Sequence, residues 1–334
     1  MKKETLTTIS ERTGFSITTI SRVLSGNAVK YRISPQTAEL IIADAKKCDY
    51  TPSVLAQSLR TKKTNTVGLL LPSVSNPFFA DMARVIITEL DKQGYLTIVI
   101  DTMESEVRMS DNAKSLIQRN VDGIIVVPCG DNPIALERIG AVLPLVLIDR
   151  IYHNTTLPYV TTNNFKGSFD AVNLLISKGY RRIVCIQGEL SSTPNKYRVS
   201  GYERAMREAG LEDNIMVVGN EFSAQNGYLE TKLLLNMAER PQAILALSNT
   251  IVLGALKAIR EVDLSIPKDI ALLSFDDNAY MDYLTPPITR VGQPVEDMAK
   301  LSVKILLDCI KNSGKRTTVS QLELSPTILL GGSI

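Results

Sequence analysis

At 334 residues with 44% hydrophobic content, the chain is long enough for two or three separate cores and has the balance of a soluble globular protein. Its longest apolar runs, such as Ile139 to Ile148, fall short of the roughly 20 residues a membrane span needs. The net charge of +2 is unevenly placed: residues 1–63 hold 11 Lys and Arg against 5 Asp and Glu, and the remainder holds 26 against 30. A basic head on a mildly acidic body is suited to meeting a polyanion with the head alone. Lys2 and Lys3 lead into no apolar segment, so no signal peptide is expected. Cys48, Cys129, Cys185 and Cys309 are far apart, show no CxxC spacing and read as small apolar fillers of a cytoplasmic protein.

In chain order, Thr5 is placed to cap a first helix with Leu6 and Ile9 on its inner face. Gly14 supplies the backbone freedom for a tight turn. Ser16 caps a second helix, on which Ile20, Val23 and Leu24 recur at helical spacing and face a core. Ile17, Thr18, Ser21 and Arg22 then project outward, toward solvent or DNA. A third helix opens with Ser34 as cap and Pro35 at its first position, and Ala38, Ile41, Ile42 and Ala45 close a three-helix core. Short exposed Ser and Thr on the second helix suit phosphate and base-edge contacts better than general solvation. Residues 52–60 follow as a short basic tail that includes Ala56 and Leu59, either a short helix or a flexible linker. An isolated helix of about two turns is marginal in water, so its ordering must be coupled to something else.

From Asn65 the pattern changes. Residues 67–71, 97–100, 123–127 and 145–148 read as buried parallel strands, with helices near 77–92, 105–119 and 132–140. After about residue 161 it repeats, with strands at 183–186, 243–247 and 270–273 and helices near 165–178, 196–209 and 249–261. Two runs of βα units predict two doubly wound parallel sheets, an α/β body. Ligands bind such sheets at the carboxyl ends of their strands, so two lobes would share one cleft. Asn76 and Phe78 follow the first strand, and Asp149 and Arg150 the fourth. Enzyme signatures are missing: Leu71-Pro72-Ser73-Val74-Ser75-Asn76 stands where a GxGxxG would, and there is no Walker A loop or metal-ligand cluster. His153 is the only histidine, which excludes histidine-pair metal motifs; neither catalysis nor a cofactor is expected.

Thr19-Ile20-Ser21-Arg22-Val23-Leu24-Ser25-Gly26 resembles the TVSRVLN signature of the lactose-repressor-like (LacI/GalR) regulators. The likeness continues through Asp49-Tyr50-Thr51-Pro52-Ser53 and Ala56-Gln57-Ser58-Leu59-Arg60, then Ser75-Asn76-Pro77-Phe78-Phe79 and Ser274-Phe275-Asp276-Asp277, and covers essentially the whole chain. It implies a helix-turn-helix domain over 1–51, a hinge helix and linker over 52–64, and a two-lobed effector and dimerisation domain of type I periplasmic-binding-protein fold over 65–334. The lobes would comprise about 65–161 with 292–321, and about 162–291 with 322–334, the chain crossing near Thr161, Val291 and Gln321. One departure is the loop 27–33, about three residues longer than in many members; its Lys30, Tyr31 and Arg32 are placed to add contacts beside the groove.

By that resemblance the second helix enters the major groove. Ile17, Thr18 and Arg22 read bases, with Arg22 the candidate for a bidentate guanine contact, and Thr5, Ser16, Thr19 and Ser21 contact phosphates. Leu59 is the minor-groove wedge of a hinge pair in a homodimer, which implies a near-palindromic operator. Arg198, in Arg198-Val199-Ser200-Gly201-Tyr202, matches an effector-contacting arginine, Phe222 a ring that covers the ligand, and Asn249, Asp276 and Gln293 further pocket positions. With Asn76, Phe78, Asp149 and Arg150 they suit a carbohydrate: carboxylates accept from hydroxyls, Asn249 and Arg198 donate, and a ring covers the apolar sugar face. Asp277 reads as a structural cap, and Arg150 as pairing with Asp149 or with the other subunit. Asn163 replaces the family's usual Asp and Thr250 another. The C-terminal 329–334 show no heptads, which argues against a coiled-coil tetramer. The implied function is a cytoplasmic, effector-controlled transcriptional repressor. The competing reading is a cytoplasmic sugar-binding or sugar-processing protein whose helical head binds a partner.

Overall fold

The computed structural model describes residues 4–50, 63–312 and 319–334, so the expected hinge helix with Ala56 and Leu59 lies outside the described residues. The chain forms two compact units, Met1–Thr64 and Asn65–Ile334.

In the first unit, α1 (Leu6–Thr13), α2 (Ile17–Leu24) and α3 (Pro35–Lys47) surround Ile9, Ile20, Val23, Ile41 and Ala45. Each helix starts on a side chain that satisfies an otherwise orphaned amide. Thr5 and Thr8 cap one another reciprocally at 3.2 and 3.0 Å, and Ser16 and Ser34 accept from the amides of Thr19 and Thr37, both at 3.1 Å. Gly14 ends α1 with φ +74°, a left-handed conformation that favours glycine. Ile42 departs from expectation: it is 40% exposed, while Ile41 is fully buried. Successive helical residues are about 100° apart, and the contact of α3 with the two short helices is wide enough for Ala38, Ile41 and Ala45 alone.

The second unit holds two sheets, each of six strands among the described residues. The first takes β1 (Thr66–Leu71), β2 (Leu96–Asp101), β3 (Gly123–Val126), β4 (Leu145–Ile148), β5 (Tyr159–Thr162) and β11 (Gln321–Leu324), in the order β11-β5-β4-β3-β1-β2. The second takes β6 (Ile183–Ile186), β7 (Met216–Val218), β8 (Ala243–Ala246), β9 (Ala271–Phe275), β10 (Thr289–Gly292) and β12 (Thr327–Leu329), in the order β12-β10-β9-β8-β6-β7. The orders superimpose, so β4 of one lobe corresponds to β9 of the other. The described pairings are parallel except β10 with β12.

Alternate strand residues face opposite helical layers. Val67, Leu69 and Leu71 face α4 (Pro77–Asp91) and α11 (Val295–Lys311), whereas Leu70, Ile124 and Val126 face α5 (Glu106–Gln118) and α6 (Ile134–Gly140). In the second lobe Ile183 and Cys185 face α7 (Asn164–Ser177) and α8 (Thr193–Glu208), while Val184 and Ile186 face α9 (Ala224–Leu235) and α10 (Asn249–Glu261). Because both faces are covered, the central strands read as unbroken apolar runs.

The chain passes between lobes after β5, after β10 and after β11. The third passage lies beyond Leu324 rather than near Gln321, because Gln321–Leu324 pairs in register with Tyr159–Thr162 and places Leu322 and Leu324 against the first core. Residues 322–324 therefore belong to the first lobe.

In the second lobe α9 and α10 cross through glycines. A methyl group at Gly254 would collide with the carbonyl oxygen of Ala224, and one at Gly227 with that of Ile251. Gly254→Val should destabilise the effector unit by about 1–3 kcal/mol, read as a lowered thermal midpoint; an unchanged midpoint would contradict this packing.

Candidate functional site

On the first unit, Ile17 is 46% exposed and Thr18 is also exposed, so both project from the outer face of α2. Arg22, one turn on, places its guanidinium carbon over the Tyr31 ring, 4.0 Å from the centroid. Thr5, Ser16 and Thr19 lie at helix N-termini, where unpaired amides and the helix dipole favour an anion. Ser21 lies half-buried on α2.

The second site is a small cavity between the lobes, lined among others by Asn76, Phe78, Phe79, Asp149, Arg150, Arg198, Phe222 and Asp276. Its two carboxylates occupy equivalent places, Asp149 directly after β4 and Asp276 directly after β9. Both have left-handed backbones, φ +65° and +71°, and both are buried. Sparsely populated backbone of this kind clusters at ligand sites, and aspartate tolerates it better than most residues. The turn points each carboxylate into the cleft instead of along its strand.

Arg198 emerges from α8 with its guanidinium 3.7 Å from the Phe275 ring centroid. It donates to Asn164 Oδ1 at 2.8 Å and to the Leu247 carbonyl at 2.7 Å, and lies 3.6 Å from Asp276 Oδ1. Burial draws its pKa below the ordinary arginine value, opposed by Asp276 and Asp149. Arg150 does not pair with Asp149: both its terminal nitrogens donate to Glu104, at 2.6 and 2.8 Å. Asp149 is geometrically unsuited to that pairing, since its left-handed backbone turns its carboxylate into the cleft. Asp277 bonds Arg290 and supports the loop. Asn163 caps α7 and donates to Glu323.

Neighbours fix the polar groups. Gln293 Nε2 donates to Asp276 Oδ1 at 2.7 Å, and Asn249 Nδ2 to Asn278 Oδ1 at 2.7 Å and Asn76 Oδ1 at 3.1 Å. The last bond crosses the cleft, as do the hydrogen bond from Thr193 Oγ1 to the Ile151 carbonyl and the placement of Arg150 5.8 Å from the Phe222 ring centroid. The lobes are therefore closed on one another. Asp149 Oδ1, Asn249 Oδ1, Gln293 Oε1 and Ser192 Oγ are buried polar atoms without a protein partner; such a concentration marks a polar ligand site. Phe222 is positioned by Gly188, where a methyl group would collide with its ring. Sequence reasoning missed Glu104, Gly188 and Ser192; all three follow strand-end loops, the one signal that could have found them.

A periplasmic binding protein-like domain model matches residues 172–334. The ribose operon repressor of Haemophilus influenzae is 32% identical over 99% of this chain and 98% of its own length. A lac repressor dimer solved with operator and an anti-inducer superimposes with TM-score 0.89 at 23% identity over 99% of both chains, which shows the fold. A LacI family regulator from Enterococcus faecium, solved with bound ribose, covers 80% of this chain and 98% of its own with TM-score 0.72 at 27% identity. The chain belongs to the LacI/GalR family of DNA-binding transcriptional regulators.

Burial pushes the Asp149 pKa from 3.8 up to about 6, with Arg198 and Arg150 pulling the other way. A carboxyl whose folded value exceeds its unfolded one is protonated preferentially in the folded state, so stability falls as pH rises from 3.8 toward about 6. Asp149→Asn should remove that loss: its thermal midpoint relative to wild type should rise across this window and level off above it. A pH-independent difference would contradict the assignment.

Proposed function

We propose that this protein is a homodimeric repressor whose operator affinity is set by a neutral, monosaccharide-sized polyol held between the two lobes. The observation that carries the reading is the pair of buried carboxylates, Asp149 and Asp276, one at an equivalent strand end of each lobe. Only a ligand between the lobes meets both, and its hydroxyl groups can donate to Asp149 Oδ1, which has no protein partner, and to the lone pairs of Asp276 left over beside Gln293.

The charges favour a neutral ligand. Arg150 already has its fork filled by Glu104, and Arg198 is engaged by Asn164, Leu247 and Asp276. A carboxylated sugar would face two acids with no uncommitted cation among the described lining residues. Phe78, Phe79 and Phe222 supply the apolar cover that a sugar ring needs. The name of the Haemophilus influenzae relative and the ribose in the Enterococcus faecium structure support the same ligand class.

In this reading Asn76, Asp149, Arg198, Asn249, Asp276 and Gln293 orient the hydroxyls, Phe78 and Phe222 cover the ring, and Arg150 with Glu104 braces the floor. On the first unit Ile17, Thr18 and Arg22 read bases, and Thr5, Ser16, Thr19 and Ser21 hold phosphates. Residues 52–60, with Ala56 and Leu59, couple the two units as a hinge that pairs across the dimer. The domain limits 1–51, 52–64 and 65–334 follow from those roles. The protein acts by binding, in the cytoplasm, and catalyses no reaction of its own.

A thermal-shift screen of mono- and disaccharides, sugar acids and nucleosides tests the ligand class. A neutral monosaccharide should stabilise the protein by about 2.7 kcal/mol at one hundred times its Kd. Asp276→Ala should lose both that stabilisation and the operator response while retaining operator binding in its absence. Stabilisation by sugar acids alone, or a normal response in Asp276→Ala, would contradict the proposed site.

A further inference from the structure

We propose that Tyr31 is a positioning residue for Arg22: its ring fixes the plane of the guanidinium on α2 and so sets how stringently the protein discriminates the base that Arg22 meets. The inference rests on the reading of Arg22 as a base contact.

The segment after α2 is built to hold that ring. Gly26 turns the chain with φ +74°, and Asn27 donates its amide to the Arg22 carbonyl at 2.9 Å. The loop closes on itself where Ile33 N donates to the Ala28 carbonyl at 2.9 Å, and both residues pack against the head core. Between these anchors, Tyr31 N donates to the Asn27 carbonyl at 3.2 Å and Arg32 N to that of Val29 at 3.1 Å. Val29 at the tip is 91% exposed, so the anchors, not burial of the tip, fix the path.

Tyr31 contributes little to the core, being 45% exposed. Its ring instead lies 4.0 Å from the Arg22 guanidinium, with the Lys30 ammonium farther off at 5.9 Å. Among the described residues the Arg22 side chain makes no hydrogen bond or ion pair. Arg12 on α1 is the contrast, its fork occupied by Glu4 and Asp44. A ring engages the face of a guanidinium and leaves its in-plane N–H groups free. Those are the groups that make a bidentate contact to guanine O6 and N7. An unstacked arginine would lose more rotamer freedom on forming that contact; the ring restricts it beforehand.

The test uses the full-length protein and selection from a random duplex library, followed by competition among single-base variants of the selected site. Wild type is compared with Tyr31→Ala, Tyr31→Phe and Arg22→Ala, with non-specific DNA affinity and its salt dependence measured alongside. Arg22→Ala should flatten preference at one position per half-site. Tyr31→Ala should reduce discrimination at that same position by about tenfold, within the range such a contact supplies, and leave other positions and the salt slope unchanged. Tyr31→Phe, which keeps the ring, should match wild type.

A uniform loss across all sequences with a shallower salt slope in Tyr31→Ala would overturn the proposal in favour of a backbone contact. Tyr31→Phe behaving like Tyr31→Ala would overturn it in favour of a contact by the hydroxyl. Loss of non-specific binding in Tyr31→Ala would show that the ring serves the fold of the head. Unaltered discrimination in Tyr31→Ala would remove the role altogether. If Arg22→Ala flattens no position, the parent reading of Arg22 fails, and this one with it.

Discussion

Two carboxylates buried at one interface constrain the rest of the effector unit. Asp149 and Asp276 are both buried and are held in backbone conformations that cost of order 1–3 kcal/mol each, and burial pushes the Asp149 pKa up. Parallel strands with superimposable order bring the two acids to corresponding strand ends, and closure of the lobes brings the ends together. The nearby arginines do not simply neutralise them. Arg150 is committed to Glu104, and Arg198 is spread over an amide, a carbonyl and the more distant Asp276. The acids thus retain acceptor capacity, which in the proposed function selects hydroxyl-bearing ligands.

Because one acid belongs to each lobe, the proposed function makes ligand binding and lobe closure a single equilibrium. The cross-cleft bonds of Asn249 with Asn76 and of Thr193 with Ile151 are neutral hydrogen bonds worth only about 0.5–1.5 kcal/mol net each, joined by the Arg150–Phe222 contact and an exposed Lys196–Asp131 ion pair at 3.8 Å. A closed state held so lightly can be reweighted by a ligand, and the three passages between lobes make each lobe's orientation felt throughout the unit. In the proposed function this equilibrium is what the operator senses. Coupling in such systems is typically about 1–3 kcal/mol, commensurate with the few bonds that span the cleft.

Much of this was legible in the sequence for identifiable reasons. Central strands covered on both faces leave uninterrupted runs such as Gly123–Val126, and strand ends announce the cleft, so Asn76 and Asp149 could be named from position, while Asp276 was named through the resemblance carried by Ser274-Phe275-Asp276-Asp277. The head was legible because Thr5, Ser16 and Ser34 punctuate it. What escaped depends on distant contacts. Glu104 meets Arg150 across 46 residues, and nothing local to either announces the pair. Gly188 matters only because Phe222 packs on it, and Gln321–Leu324 joins the first sheet because Tyr159–Thr162 offers an edge. Ile42 has the spacing of a core residue, but the two short helices opposite leave it uncovered.

The central claim is that the cleft ligand and the operator bind to one coupled equilibrium, and reciprocal linkage tests it most directly. Operator affinity is measured with and without a saturating neutral monosaccharide, and sugar affinity with and without saturating operator. The account predicts that the two affinities change by the same factor and in the same direction. A sugar that binds in the cleft with identical affinity whether or not operator is present would contradict it.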